Sequence, residues 1–282
     1  MPELVVSMPA YSTERYIGEA IESVLRQTGI DFELFVVDDG SQDNTGEVAL
    51  SFKDPRVKVL RNSINRGISF CHNRVISEST SPFIAHVDSD DLVLPNALNR
   101  MVATLKSDPH IGQAHCYFFD IDEEGNAARE AVRKERFLKN RPADMDYKRE
   151  LLIQGTVINH LRTYRREVFE KVGYFNERIT CGEDYEMALR IIDQFTIKLL
   201  PEFLYCLRLH QNSTTKRVGL TTFGFFLQRM SICRQLLKAN QVSFLKDEKY
   251  NPNRLLMQSF RQMLLDLVFN YRCILRASIL RR

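Results

Sequence analysis

Several features are missing from this sequence, and each absence removes a class of protein. Six cysteines occur, at 71, 116, 181, 206, 233 and 273, but no two stand at Cys-x-x-Cys spacing. Neither a zinc-thiolate site nor a disulfide framework is expected, and a reducing compartment is the default. The longest apolar runs fall far short of the roughly 18 residues that a membrane span requires. No secretory leader precedes the first apolar segment, so the chain is expected in the cytoplasm. Phosphate-cradling glycine patterns are lacking too, with neither Gly-x-Gly-x-x-Gly nor Gly-Lys-Ser/Thr present. If a nucleotide binds, its diphosphate must be held by metal and side chains.

What is present is an ordinary globular composition: 44% hydrophobic and 27% charged residues over 282 positions, enough for one large domain or two small ones with a proper core. The charge is uneven. From Lys216 onward there are 13 Lys and Arg against 3 Asp and Glu, a surplus of +10, which leaves 26 against 33, or −7, before it. A basic segment on an acidic body suggests an anionic partner, such as a membrane leaflet or nucleic acid.

The stretch Phe83 to Asp91, Phe-Ile-Ala-His-Val-Asp-Ser-Asp-Asp, organises the rest. A short apolar run with a β-branched core reads as a buried strand, and it stops at Asp88, Ser89, Asp90 and Asp91. Clustered carboxylates repel unless protonated, solvated or shared with a cation. Oxygen ligands on a tight turn suit Mg2+ or Mn2+. The other reading is a solvated acidic turn before the helix that Pro95 announces.

Upstream, Leu4 to Met8 reads as a strand ending at Pro9, and Ile17, Ile21, Val24 and Leu25 have the spacing of an amphipathic helix. Leu34 to Val37, ending on Asp38 and Asp39, and Val57 to Leu60 are two further strands. Asn65-Arg66-Gly67 leads into a helix through Ile76. Strand, helix and strand in repetition predict an α/β fold, a mostly parallel sheet flanked by helices. Ligands bind beyond the carboxyl ends of such strands, where Tyr11, Asp39, Gly67 and the Asp88 to Asp91 cluster all fall.

Further on, Ala114 to Ile121 reads as an aromatic-rich strand, and residues 127–145 as a charged, solvent-facing or mobile loop. Thr156 to Arg166 reads as a second β region, Glu167 to Val172 as a short helix, and Phe203 to Leu209 as the last strand. Gly182-Glu183-Asp184 opens a helix, where the dipole alone would favour acidic residues. The segments Phe223 to Ala239 and Asn253 to Leu280 are predicted helices. In the second, Leu256, Phe260, Met263, Leu267, Tyr271 and Ile274 share one face and Arg254, Arg261, Arg272 and Arg276 the other. Such helices either pack on protein, including a second copy, or lie on an anionic membrane.

The ordered segments Val-Ser-Met-Pro-Ala-Tyr, Val-Val-Asp-Asp-Gly-Ser, Asn-Arg-Gly-Ile-Ser, Val-Asp-Ser-Asp-Asp, Tyr-Arg-Arg-Glu-Val-Phe-Glu-Lys-Val-Gly-Tyr-Phe, Gly-Glu-Asp-Tyr-Glu and Arg-Leu-His-Gln-Asn-Ser resemble the family-2 glycosyltransferases of the GT-A fold. The resemblance covers about residues 1–215, divided into a nucleotide-binding half, 1–95, and an acceptor half, 96–215; residues 216–282 form a separate helical, basic segment. It implies inverting, metal-dependent transfer of a sugar from a nucleotide-diphosphate donor to a hydroxyl in glycan or polysaccharide synthesis.

Carried over by position, the resemblance places Pro9 and Tyr11 against the donor base, Asp39 on the base's imide edge, and Gly67 and His72 near the nucleotide. It places Asp88 on the ribose, Ser89 beside it, and Asp90 on Mn2+ or Mg2+ with His210. Asp184 matches the general base, and Glu183 and His160 fall on the acceptor side. Arg208 is expected to assist by charge, and Asp91 to hold the turn. Since an Asp acceptor suits uracil or thymine, a UDP-sugar donor is favoured, with a glycan or lipid-linked acceptor and no nucleic acid. Peripheral attachment at the inner face of the plasma membrane, or a homodimer through residues 216–282, would then employ the basic helices.

Two positions depart from the family pattern. Ser12 stands where Asn is common, and Cys71-His72-Asn73 stands for Ala-Arg-Asn, so His72 would replace an arginine with a pH-dependent charge unless Arg66 or Arg74 compensates. The competing readings are a nucleotidyltransferase, which usually carries a glycine-rich basic loop after its first strand, and a nucleotide-sugar-binding scaffold without turnover.

Overall fold

The computed structural model describes residues 1–127, 145–154, 157–210 and 222–258. The chain forms two compact units, Met1–Met145 with Ile158–Val218, and Asp146–Val157 with Gly219–Arg282. The division therefore falls three residues beyond the boundary expected at 215, and residues 146–157, expected in the acceptor half, group with the C-terminal unit.

The first unit begins with Leu4–Ala10 (β1), whose parallel neighbours are Phe32–Asp38 (β2) and Phe83–His86 (β4). Val57–Arg61 (β3) extends the sheet beyond β2. Both faces of β1 are covered, which is why its sequence is apolar on both faces apart from the buried Ser7, rather than alternating. Helix Ile17–Leu25 (α1) buries Ile17, Ala20, Ile21 and Val24, one stripe at helical spacing. Leu4, Val6 and Met8 share a core with these residues and with Leu98, Met101 and Leu105 of Ala97–Lys106 (α4). The remaining crossovers are Thr45–Ser51 (α2) and Ile68–Glu78 (α3).

The second half of the sheet adds Leu92–Val93 (β5), Ile111–Ile121 (β6), Thr163–Arg165 (β7) and Thr196–Arg208 (β8), with helices Arg166–Val172 (α6) and Glu183–Gln194 (α7); α5, Tyr147–Gln154, lies in the other unit. The eight strands are ordered β3-β2-β1-β4-β7-β6-β8-β5. Pairing is parallel through β4 and again between β6 and β8, but β4 with β7, β7 with β6, and β8 with β5 are antiparallel. The α/β sheet predicted from the sequence is thus observed, as a mixed sheet flanked by helices.

Three boundaries differ from expectation for identifiable reasons. Pro9 does not end β1; it pairs with Val37 one residue before the strand stops. Ser7 bonds toward β4 through its carbonyl, so Pro9, two residues on, turns its nitrogen to the same side, where β4 has already ended at His86. No ladder donor is missed. Strand β8 starts at Thr196, seven residues before the expected Phe203. The register jumps from Cys116 with Leu200 to Tyr117 with Phe203, so Pro201 and Glu202 bulge out of the ladder. Of the β region expected over 156–166, residue 156 lies outside the described residues and Thr163–Arg165 is strand, preceded by Leu161 in a left-handed conformation with φ 53°.

Helix α7 is anchored by a buried bidentate pair. Arg190 Nε donates to Glu186 Oε1 at 2.9 Å and Nη2 to Glu186 Oε2 at 2.7 Å, while the same guanidinium binds the carbonyls of Val172, Gly173 and Tyr174. Both side chains are 5% exposed. Removing one partner strands the other charge and frees three carbonyls. Arg190→Met should therefore cost about 3–5 kcal/mol in denaturant unfolding, whereas breaking an exposed pair such as Lys171–Glu167 should cost far less.

In the C-terminal unit, Thr222–Lys238 (α8) agrees with the helix expected over 223–239. Leu151 and Leu152 of α5 are buried, and Tyr250 Oη donates to Asp146 Oδ2 at 3.1 Å. Residues 252–258 are helical, opening at Pro252, and the rest of the predicted second helix lies outside the described residues. No helix among the described residues is long and apolar enough to cross a membrane.

Candidate functional site

The parallel strands β1, β2 and β4 deliver residues 11, 39 and 88 to one edge of the sheet. Antiparallel pairing of β7 with β4 sets Thr163 against Ala85, so the residues just before β7 reach that edge too. Strands β6 and β8 run past it together as far as Ile121 and Arg208.

The Asp88 to Asp91 turn is tied to β8. Asp88 N–H donates to Tyr205 Oη at 3.1 Å, and Arg208 N–H donates to Asp91 Oδ1 at 2.7 Å. The Arg208 guanidinium donates to the carbonyls of Asp90 and Glu123, both at 2.9 Å, and to Glu19 Oε2 at 2.7 Å. Its side chain is 1% exposed. The charge expected to assist a diphosphate is thus turned inward to fix the turn. Asp91 holds the turn as expected. Ser89 is buried, with its hydroxyl accepting from Thr13 Oγ1 at 3.1 Å, so it ties loops together instead of facing a donor.

His210 Nε2 lies 2.8 Å from Asp90 Oδ2, across 120 positions of sequence. A carboxylate beside an imidazole is a mixed oxygen and nitrogen donor set that suits Mn2+ and is softer than the all-oxygen set Mg2+ prefers. Asp91 Oδ2 is buried and meets no well-formed donor. Burial and the charges of Asp90 and Asp88 push the Asp91 carboxyl well above its ordinary range. One ligand atom each from Asp88, Asp91 and His160 also lies within 4.8 Å of the others. The turn is short of positive charge, and a divalent cation held by Asp90 and His210 fits it.

On the donor side, Asp39 Oδ1 accepts from Arg66 N at 2.9 Å and Asn62 Nδ2 at 2.7 Å, and Oδ2 accepts from Gly67 N at 2.7 Å. Gly67 has φ 88°, and a Cβ there would meet nothing within 4 Å. Its glycine serves the backbone turn and leaves open space at the edge. Tyr11, in the chain's first loop, is 37% exposed. Ser12 has φ 56°, a left-handed conformation that Asn tolerates better than Ser. Ser12→Asn should raise the midpoint of thermal unfolding.

His72 corrects the sequence reading. It is buried, stacked on His86 with centroids 3.5 Å apart and planes 3° apart, and its Nδ1 lies 2.8 Å from Ser7 Oγ. Burial, with Arg162 adding to it and Asp88 opposing, pushes its pKa down to about 3. It is neutral in the physiological range and offers a diphosphate no charge. Arg74 is taken up by Glu78 and Asn62, while Arg66 lies over the Phe70 ring at 3.8 Å.

On the far side, Gly182 with φ 84° starts α7 and puts Glu183 and Asp184 in its first turn. Arg162 Nη1 donates to Asp184 Oδ2 at 2.9 Å. His160, expected on the acceptor side, instead lies with Nδ1 3.4 Å from Asp88 Oδ2, stacked on Tyr205. Although burial works against it, hydrogen bonding to His160 and the charges of His160 and Arg162 hold the Asp88 carboxyl below its ordinary range. Burial and then the Asp184 charge push Glu183 up to about 7.

Glu183 therefore keeps its proton more tightly in the folded chain than in the unfolded one. Its contribution is fully present below its ordinary 4.5 and is lost as pH rises through about 7. Glu183→Gln should remove this loss, so the variant gains stability on the wild type as pH rises from 4.5 to 7 in unfolding measured across pH.

Arg162 and Tyr205 were not singled out from the sequence. The usable signal was an arginine within Ile-Asn-His-Leu-Arg-Thr-Tyr, since a buried guanidinium needs an anion beside it.

Against known proteins, the family model described as Glycosyl transferase family 2 matches residues 5–173. The chain belongs to glycosyl transferase family 2. Among relatives of this family 2 chain, a hyaluronan synthase of Pasteurella multocida is 27% identical over 230 residues, 80% of this chain and 22% of the synthase. The chain thus spans under a quarter of that relative's length. Among solved structures, S. aureus TarS 1-349 in complex with UDP-GlcNAc aligns with TM-score 0.68 at 18% identity, covering 92% of this chain and 71% of that one. The mannosyltransferase PcManGT from Pyrobaculum calidifontis, in complex with GDP-Man and Mn2+, aligns with TM-score 0.62 at 16% identity, covering 97% and 80%. Both establish the GT-A-like fold of the family 2 chain.

Proposed function

We propose that this chain is a glycosyltransferase of glycan synthesis that moves a sugar from a nucleotide-diphosphate donor to a hydroxyl acceptor with inversion. The observation that carries this reading is a continuous chain of contacts along one sheet edge. Asp90 meets His210, Asp88 in the same turn meets His160, and Arg162, two residues on, meets Asp184. A donor-holding turn and a candidate base are thereby parts of one assembly.

In this reading Asp184 takes the proton of the acceptor hydroxyl as that oxygen attacks the anomeric carbon. The bond from that carbon to the diphosphate oxygen breaks, and its electron pair leaves with the diphosphate. A divalent cation, when held by Asp90 and His210, supplies charge that offsets the growing negative charge of the leaving group. Tyr11 and Pro9 face the base, and Asp88 the ribose. Asp39 Oδ2 accepts one hydrogen bond and keeps a second lone pair for an imide N–H, which favours a UDP-sugar. The UDP-GlcNAc bound by TarS and the GDP-Man and Mn2+ bound by PcManGT support a nucleotide-sugar with metal, and the hyaluronan synthase supports a glycan product.

The test is release of nucleoside diphosphate from a panel of UDP-, dTDP- and GDP-sugars, with Mn2+ and with EDTA. Turnover confined to UDP-sugars and abolished by EDTA is expected; turnover indifferent to EDTA rejects the metal, and none with any donor rejects the transferase. For the basic C-terminal segment we propose contact with an anionic membrane in the cytoplasm, where a lipid-linked acceptor would be met. Co-sedimentation with phosphatidylserine vesicles should fall as salt rises. A salt-independent dimer in sedimentation with no vesicle binding would favour pairing of two copies.

A further inference from the structure

Leu161 has φ 53°, a left-handed backbone that a branched side chain adopts only at a cost of about 1–2 kcal/mol. Strain of this kind persists where the surroundings impose it. Here it divides the contacts of its two neighbours. His160 Nδ1 is 3.4 Å from Asp88 Oδ2, and Arg162 Nη1 is 2.9 Å from Asp184 Oδ2. The Arg162 carbonyl accepts from His86 N–H at 2.9 Å, which locks that backbone to the end of β4. The Arg162 side chain is 11% exposed and lies in the field of Asp184, Asp88 and Glu183.

Taking Asp184 as the base, we infer that Arg162 is a positioning residue whose ion pair holds the Asp184 carboxylate in one orientation, and that the Leu161 turn ties this orientation to Asp88 on the donor side. A carboxylate at the start of a helix has free rotation about its last bond unless something grips it. Tyr185 N–H donates to Asp184 Oδ1 at 2.7 Å, and the second hydrogen bond, from the backbone-anchored Arg162 guanidinium to Oδ2, completes a two-point grip that fixes the carboxylate plane. Alignment at this level is worth about 100-fold in rate, since a 1 Å misplacement costs that much. The same cation opposes the upward push that burial and Asp184 exert on Glu183.

The experiment compares Arg162→Gln, Arg162→Lys and Asp184→Asn in the full chain, using the UDP-sugar that the wild type turns over with Mn2+. Arg162→Gln should lower kcat about 100-fold while UDP affinity by calorimetry stays unchanged. Arg162→Lys should keep part of the rate, and added guanidinium ion should restore part of the Arg162→Gln rate but none of the Asp184→Asn rate. In carboxyl 13C titrations, the Glu183 signal, assigned with Glu183→Gln, should move above about 7 in Arg162→Gln. Wild-type kcat in Arg162→Gln, with Asp184→Asn inactive, overturns the inference and leaves the base reading standing. Wild-type kcat in Asp184→Asn overturns the base reading itself. Loss of kcat together with UDP affinity, without guanidinium rescue, reduces Arg162 to a structural part and also overturns the inference.

Discussion

Asp184→Asn should bind UDP as the wild type does and lose sugar transfer by about 10²–10⁴-fold, the range a positioned general base contributes. The substitution keeps the shape of the side chain and replaces one carboxyl oxygen by an amide nitrogen. Its one oxygen can keep the Arg162 hydrogen bond seen at 2.9 Å, at the loss of the 2.7 Å hydrogen bond from Tyr185 N–H, so a folded-state check by circular dichroism accompanies the assay. What is removed is the ability to take a proton from the attacking hydroxyl. The measurement is kcat for UDP release beside UDP affinity by calorimetry. Glu183 is the competing carboxylate, held up to about 7 by burial and by its neighbour's charge, and therefore partly ionised near neutrality. If Asp184→Asn retains transfer and Glu183→Gln loses it, the proton goes to Glu183.

Asp90→Ala should show the complementary pattern, losing nucleotide binding before chemistry is tested. Without Asp90 the buried His210, 5% exposed, is left as a single imidazole ligand, and one imidazole holds a divalent cation weakly. The expected loss of Mn2+-dependent UDP affinity is about 100-fold or more, equivalent to roughly 3 kcal/mol. With EDTA present the wild type and the variant should bind UDP equally poorly, which separates metal loss from a collapsed turn. The turn itself should survive, because Arg208 grips the Asp90 carbonyl and the Asp91 carboxylate rather than the Asp90 side chain. Unequal binding in EDTA would show that Asp90 acts through something other than the cation.

The repeating strands and helices were legible because burial imposes a period on them. β1, β2 and β4 carry mostly apolar, buried runs such as Leu4 to Val6, Leu34 to Val37 and Phe83 to Ala85, and α1 shows its stripe at Ile17, Ala20, Ile21 and Val24. The first part of β8 was not legible, since Pro201 reads as a strand breaker until a bulge is known to take it out of the ladder. Two-residue β5 is too short for any periodic signal. In the candidate site, the Asp90 and His210 pairing came from family resemblance, as nothing local links positions 120 apart. Composition also cannot tell a charged histidine from a buried one. His72 reads as a substitute for arginine in sequence and is a neutral ring against His86 in space. Arg208 reads as a free cation and is a clamp, because the carbonyls it serves come from Asp90 and Glu123, both distant in the chain.

That clamp has a bearing on synthesis at the ribosome. The acidic turn emerges early, yet Arg208 and His210 leave the exit tunnel more than a hundred residues later, and closing a loop of that length carries an entropic cost of about 4 kcal/mol. On the proposed reading, a nascent polypeptide halted before β8 lacks His210 and so one of the two proposed cation ligands. Manganese affinity in a series of arrested chains should therefore switch on in one step once residue 210 is free, so that competence for the donor marks completion of the sheet.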